Sequence, residues 1–382
     1  MSTANDELTR LADRIGSDVR AVATSGELDD VDRLVDAEVT RHRPLADDVE
    51  RQRLADAIRS RLGGLDRLEP WLADPDVDEV LVSRGAIWVE RRGVVERVEA
   101  IDGDSTRRVV ERVLAPLGRR LDRSSPIVDA RLPDGSRVCA VIEPVAVDGP
   151  VLSVRRFAEH ARSLDDFLDG TAGDDAATIR SACVEALRRR CNVVVSGATS
   201  SGKTSLLGAL LALADPADRI IVLEDTRELP CAAPHIVRLE ARPETVDGPA
   251  PITVEQLVRT ALRLRPDRLV VGEVRGDEVL ALVQAMNTGH DGSFSTVHAN
   301  SPEDALLRLE SLVVRAAPRW PLSAVRHTLA RSIDVVVHVG RRGPDRMITQ
   351  VAEVVAAGHD AAPGPLEVRS VSDGRTLGRT RR

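Results

Sequence analysis

The chain has 382 residues, 42% apolar and 30% charged, with a formal net charge of −8. That length holds more than one compact core, and the acidic balance excludes a protein that coats nucleic acid through clustered Lys and Arg, local basic patches aside. No apolar run reaches the roughly 18 residues a bilayer span requires, and the opening MSTANDELTR lacks the apolar core of a signal peptide, so a cytoplasmic protein is expected.

Residues 1–65 read as a helical extension, with Leu8, Leu11, Ile15 and Val19 on one face and Leu54, Ile58 and Leu62 on another. From about 66 the pattern shortens to runs such as 79–82 and 86–89, followed by Arg91, Arg92 and Gly93, and a small α+β domain is expected over 66–157. The small and acidic stretch 170–175 suits a linker, placed at 158–175. Over 176–345 the apolar runs 193–195, 220–223, 269–271, 294–297 and 335–337 alternate with helical patterns, which predicts an α/β domain with a parallel sheet. One such helix shows as the stripe Val254, Leu257, Val258, Ala261 and Leu262, ended at Pro266. Residues 346–382 are rich in Gly, Pro and Arg and read as a loosely held tail. The four cysteines, Cys139, Cys183, Cys191 and Cys231, form no CxxC pair, so reduced, buried thiols are expected rather than a zinc knuckle or a redox dithiol.

Four blocks carry chemistry. In the first, Gly197, Ala198, Thr199, Ser200, Ser201, Gly202, Lys203 and Thr204 fit GxxxxGK[ST], directly after the apolar run 193–195 and before the helical run 206–213. Backbone N–H groups of such a loop cradle the β-phosphate of ATP, lysine reaches the β/γ oxygens and the threonine hydroxyl coordinates Mg²⁺. Lys203 is the only lysine in the chain, against 52 arginines, which marks it as a place where a compact ammonium on a flexible stem is needed. Ser205 completes the loop.

The second block, Glu224-Asp225-Thr226-Arg227-Glu228, follows the next strand at the edge where open α/β sheets bind ligands, and its carboxylates suit Mg²⁺ or water. Taken alone it equally suits a solvated acidic turn. The third places Glu273 at the end of the strand 269–271, where a carboxylate acts as general base on the attacking water or polarises it. Gly272 stands where a Walker B strand usually has its metal-binding Asp, so metal binding is expected from Thr204, Glu224 and Glu273 with bridging waters. The fourth runs from Gly289 to Asn300 and holds His298 at a strand end, suited to sensing a γ-phosphate or to a purely structural hydrogen bond.

Together these blocks resemble the secretion and pilus motor ATPases, whose marks are a Walker A, an Asp box, an atypical Walker B and a His box. The wording of 265–276, 284–293 and 295–301 looks most like the tight-adherence (Tad/CpaF-type) pilus branch, and the resemblance extends upstream through 129–137 and 149–157. It implies a RecA-like ATPase domain preceded by a small α+β domain, assembled as a homohexamer with nucleotide between the two domains. It further implies membrane platform proteins as partners and a peripheral position at the inner face of the membrane. By the same carry-over Glu224 and Glu228 belong to the Asp box, Glu273 to the Walker B block and His298 to the His box. Arg137, Arg155 and Arg156 match arginines that reach the phosphates, with Arg227 and Arg275 as further candidates. Ser205 departs from a common Thr, and Phe294 from a usual aliphatic residue. The resemblance leaves a conjugation or type IV secretion ATPase, and a nucleotide-binding scaffold with little turnover, as other readings.

Overall fold

The computed structural model describes residues 28–371, apart from 45, 48–49, 53, 56–57, 59–65, 92, 115–120, 133, 158–162, 170–172, 232, 243–249, 344 and 356–365. The chain divides into two units, Met1–Phe157 and Ala158–Arg382.

In the first unit, α1 (Leu28–His42) buries Val35 and Val39, and Leu54 and Ile58 are buried beyond it. The stripe from Leu8 to Val19, and Leu62, lie outside the described residues. After a short helix α2 (Glu69–Ala73) come β1 (Glu79–Ser83), β2 (Ala86–Arg91), β3 (Val94–Ala100), α3 (Gly103–Leu114), β4 (Ile127–Arg131), β5 (Arg137–Val141) and β6 (Val151–Arg155). These strands form one antiparallel sheet in the order β3-β2-β1-β6-β5-β4. Alternate residues Val80, Val82, Val138, Ala140, Leu152 and Val154 share a core with Val109, Val110, Val113 and Leu114 of α3. A period-2 strand and a 3.6-period helix can bury one face each only against one another, which fixes this α+β arrangement.

The second unit runs α4 (Gly173–Arg188), β7 (Val193–Gly197), α5 (Lys203–Leu211), β8 (Ile220–Glu224), β9 (Ile236–Glu240), α6 (Val254–Ala261), β10 (Arg268–Val271), α7 (Glu278–Asn287), β11 (Phe294–His298), α8 (Pro302–Ala316), α9 (Leu322–Ser332), β12 (Val335–Arg342), β13 (Asp345–Val355) and β14 (Glu367–Ser370). The eight strands lie in the order β14-β13-β12-β7-β11-β10-β8-β9. From β12 to β9 every pairing is parallel, and β13 and β14 add antiparallel neighbours. Because both faces of the central strands are covered, their sequences are continuous apolar runs rather than alternating ones. The alternation is still present as a choice of face. Val193, Val195, Ile220, Val222, Val335 and Val337 enter the core that holds α5, while Val194, Ile221, Leu223 and Val336 enter the core that holds α6, α7 and α8.

Two features differ from the sequence expectation. Within 346–382, read as a tail, most of β13 (Asp345–Val355) and all of β14 (Glu367–Ser370) are found, and Ile348, Val351 and Ala352 are buried. Gly and Pro punctuate a hairpin as readily as a tail, and only pairing with β12 distinguishes the two. Within 158–175, read as linker, Leu164, Phe167 and Leu168 pack into the core around α5, and α4 already starts at Gly173.

Polar ties at the opposite ends of the strands set the sheet's register. The Asn192 N–H donates to Asp334 Oδ2 at 2.8 Å, and its side-chain Oδ1 accepts the Ser293 N–H at 3.0 Å. Arg268, 4% exposed at its side chain, pairs with Asp218 at 2.6 Å. Each buried polar group here has its partner, the condition under which such groups are tolerated in a core.

Candidate functional site

The first block folds as a loop joining the buried strand β7 to α5. Ser200 has φ +58° and Gly202 φ +94°, left-handed positions that turn successive N–H groups inward and make an anion-binding concavity. The Lys203 ammonium, only 6% exposed, donates to Ala198 O at 2.8 Å and lies 3.0 Å from His298 Nδ1. An ammonium has donors only. Nδ1 is therefore the acceptor, and the neutral ring carries its proton on Nε2, which faces Glu273 Oε1 at 3.1 Å. Burial first, then the Lys203 charge, pull the His298 pKa below its ordinary value against the opposing pull of Glu273.

Glu273 is held from its neighbour strand. Thr296 Oγ1 donates to Gly272 O at 2.8 Å, and the Val274 N–H donates to Thr296 O at 2.9 Å, so the residue between them is fixed at both sides. Burial would raise its carboxyl, but the hydrogen bond and charge of Arg275, with His298 and Lys203, outweigh burial and bring it below the usual range. The Arg275–Glu273 contact is 2.6 Å. Glu273 Oε1 is buried and makes no hydrogen bond of good alignment among the described residues, as is Ser201 Oγ.

Glu224 sits at the end of β8, level with Gly272 in the next strand. It is buried, and its Oε1 accepts the N–H groups of Glu228 at 2.9 Å and Leu229 at 2.8 Å. Burial raises its pKa over the opposing pull of those two donors. A Cβ on Gly272 would meet Glu224 Cγ at 2.7 Å. The missing Asp of the third block thus has a steric reason, since the stem of Glu224 occupies the space a side chain there would need.

The structure therefore brings Lys203, Glu273, Arg275 and His298 into one connected cluster at the carboxyl ends of β7, β10 and β11, with Glu224 beside Gly272. Arg227 meets Glu240 Oε1 through its backbone N–H at 3.4 Å. In the other unit Arg137 and Arg155 stand directly opposite each other on β5 and β6, and Arg131, which sequence reasoning passes over, is level with Arg137 on β4. Glu79 of β1 stands opposite Arg155 on the other side, so the row of arginines ends on a carboxylate. Arg156 is engaged within its own unit, where Nη1 donates to Val77 O at 3.1 Å and to Asp74 O. His338, also unremarked in the sequence, holds Ser196 Oγ at 2.8 Å directly beneath the loop. Its only sequence signal is its place in the apolar run of β12.

Cys183, Cys191 and Cys231 are buried and Cys139 is partly so, all four as free thiols. Among the described residues no helix is long and apolar enough to cross a membrane.

Comparisons with known proteins place the chain in a family. Residues 64–357 match the family described as "Type II/IV secretion system protein". A putative conjugal transfer protein of Mycobacterium tuberculosis is 38% identical over 305 residues, covering 77% of this chain and 86% of its own. The conjugal transfer protein TrbB of Rhizobium radiobacter is 34% identical over 307 residues, covering 79% and 90%. Among solved structures, the ATPase DotB of Yersinia pseudotuberculosis superposes with a TM-score of 0.55 at 18% identity, over 76% of this chain and 78% of that one, a likeness of fold. Matched over residues 64–357 by this family, and 38% identical to a relative over 77% of its length, this chain belongs to the type II/IV secretion system protein family.

Proposed function

We propose that this chain is an ATP-hydrolysing motor subunit that works as a homohexamer and drives a membrane platform assembling tight-adherence pili. The observation that carries the enzymatic part is the contact chain Lys203–His298–Glu273, with separations of 3.0 and 3.1 Å. The donor set fits a nucleotide with Mg²⁺: a left-handed loop of N–H groups, a buried ammonium, and the buried acceptor Glu273 Oε1. Magnesium keeps several waters and takes few protein ligands beside phosphate oxygens, which suits the Thr204 hydroxyl with Glu224 and Glu273 at one remove. Bound Mg²⁺·ATP supplies the phosphoryl group and the charge that the site is built to stabilise.

The residues divide the work as follows. The loop 197–205 and Lys203 bind and orient. Glu273, kept ionised by Arg275, His298 and Lys203, is a weak proton acceptor and serves chiefly to orient and polarise water. His298 holds its proton on Nε2 toward Glu273 and offers Nδ1 to Lys203, so a change at the lysine is felt at the carboxylate. Arg275 neutralises Glu273 at rest and stabilises developing phosphoryl charge once released. Arg137, Arg155 and Arg156, with Arg227, remain the candidates for phosphate contact during domain motion, and differential contacts in the two nucleotide states supply the directional bias.

The test is a pair of variants. Lys203→Ala is expected to abolish ATP binding, and Glu273→Gln to keep binding while phosphate release falls by about two to four orders of magnitude. Turnover surviving Lys203→Ala sinks the site, and binding without phosphate release in the unmodified chain supports a scaffold instead. A second reading, a conjugation or type IV secretion ATPase, is favoured by the printed names of the relatives. Loss of pili without loss of transfer in a deletion strain supports the first reading. Loss of transfer, or strong salt-sensitive stimulation of hydrolysis by DNA, supports the second.

A further inference from the structure

The hairpin β12–β13 continues past the end of β7. Strand β12 runs level with β7 from Val335 to His338, opposite Ser196, and goes on for four more residues, through Val339 to Arg342, beyond that register. His338 pairs with Gln350 and Val339 with Ile348, which leaves Thr349 as an extra residue on β13, and bulges of this kind re-aim a strand beside functional sites. The overhanging part lies against the phosphate loop. A Cβ on Gly197 would meet Val339 O at 2.4 Å, and a Cβ on Gly202 would meet Arg346 Cδ at 2.8 Å and Cγ at 3.7 Å, with Phe167 at 3.5 Å. The stem of Arg346 thus rests on Gly202, the residue immediately before Lys203.

The hairpin also concentrates charge. Arg341 stands directly opposite Arg346, on the face that continues from the buried pair Val339 and Ile348 toward the core holding Phe167 and Leu206. Both side chains therefore issue from one face at one level of the ladder, where an anion would meet two guanidinium groups. The order of strands tells which part of a nucleotide lies there. His298 and Glu273 stand on the β11 and β10 side of β7, while the hairpin stands on the other side. A nucleotide whose terminal phosphate meets His298 and Glu273 therefore lays its α-phosphate and nucleoside toward β12 and β13.

We propose that Arg346 is a nucleotide-binding residue that grips the nucleoside end, through its planar guanidinium on the α-phosphate and ribose, from the side opposite the reacting phosphate. This rests on the reading of the loop as an ATP site and goes beyond it by adding a residue from the C-terminal hairpin. Because ADP and ATP share that end, Arg346 contributes equally to both and takes no part in the chemical step. Gly202 is then constrained twice, by its left-handed backbone and by the arginine stem that a side chain would displace.

The experiment measures Kd for Mg²⁺·ADP and Mg²⁺·ATP by calorimetry, on the full chain and on Arg346→Ala, with steady-state kcat and the melting temperature of the nucleotide-free chain. Expected are Kd values raised by about tenfold for both nucleotides, as loss of a charged hydrogen bond implies, with saturating kcat within about threefold of the parent. Arg346→Lys, which keeps charge without the planar fork, is expected to recover part of the affinity and to show steeper salt dependence. Unchanged Kd for both nucleotides overturns the proposal, and so does a collapse of kcat at unchanged Kd, which would place Arg346 at the reacting end. Should Arg346→Ala lower the melting temperature of the nucleotide-free chain, Arg346→Gln, which keeps most of the stem, gives the deciding Kd. Failure of the parent chain itself to bind ATP overturns the ATP-site reading, whereas tight binding by parent and variant alike overturns only the role of Arg346.

Discussion

The Lys203 ammonium decides which nitrogen of His298 carries the proton. The ammonium can only donate, so it requires an unprotonated Nδ1, and the same charge with burial keeps the ring neutral. The unfolded chain, whose imidazole titrates near 6.5, therefore takes up a proton before the folded chain does. The stability associated with this ring is fully present above that pH and is lost as pH falls through the depressed folded value. Hydrolysis is expected to follow the same limb, flat above about 6.5 and falling only below it, with His298→Gln removing the limb from the pH–rate profile. A profile that keeps its acid limb in the variant assigns it to another group. The Arg156 guanidinium bonds the carbonyls of Asp74 and Val77 in its own unit, contacts that would have to break before it could reach a phosphate.

At the scale of elements, the site is made where strand ends meet. Glu224 ends β8, Gly272 follows β10, and the register that sets them side by side leaves room for only one side chain. Gly272→Ala is expected to lower stability by about 1–3 kcal/mol through overpacking and to shift Glu224, so that thermal unfolding and hydrolysis suffer together. Unchanged melting and turnover would mean that Glu224 has an alternative place to go. The hairpin β12–β13 is the other case. Its first strand is legible as an apolar run, but from residue 346 onward the chain reads as a Gly-, Pro- and Arg-rich tail. Nothing local separates a turn that returns to the sheet from one that does not, because the pairing partners of β13 are set by a strand and a core distant in sequence.

For the whole molecule, the proposed homohexamer implies that its subunits turn over in a coupled way. Mixing the parent chain with increasing fractions of Lys203→Ala is expected to lower turnover more steeply than in proportion to the fraction replaced, and strictly proportional loss would show that subunits act independently. Much of the architecture is legible without coordinates. Five apolar runs became β7, β8, β10, β11 and β12, since strands buried on both faces must be apolar throughout. The loop 197–205 is equally legible, because its spacing, its glycines and the sole lysine are local requirements of cradling a phosphate. By itself, then, the sequence determined the phosphate loop, the alternating strands and the residue types at their ends. Only the tertiary structure decided which of those residues touch: that His298 reaches Lys203 across 95 positions, that Glu224 replaces the side chain missing at Gly272, and that Arg346 lies on the loop. Contacts between strand ends depend on sheet order and register, which are fixed by the packing of two whole cores and by no single segment of the chain.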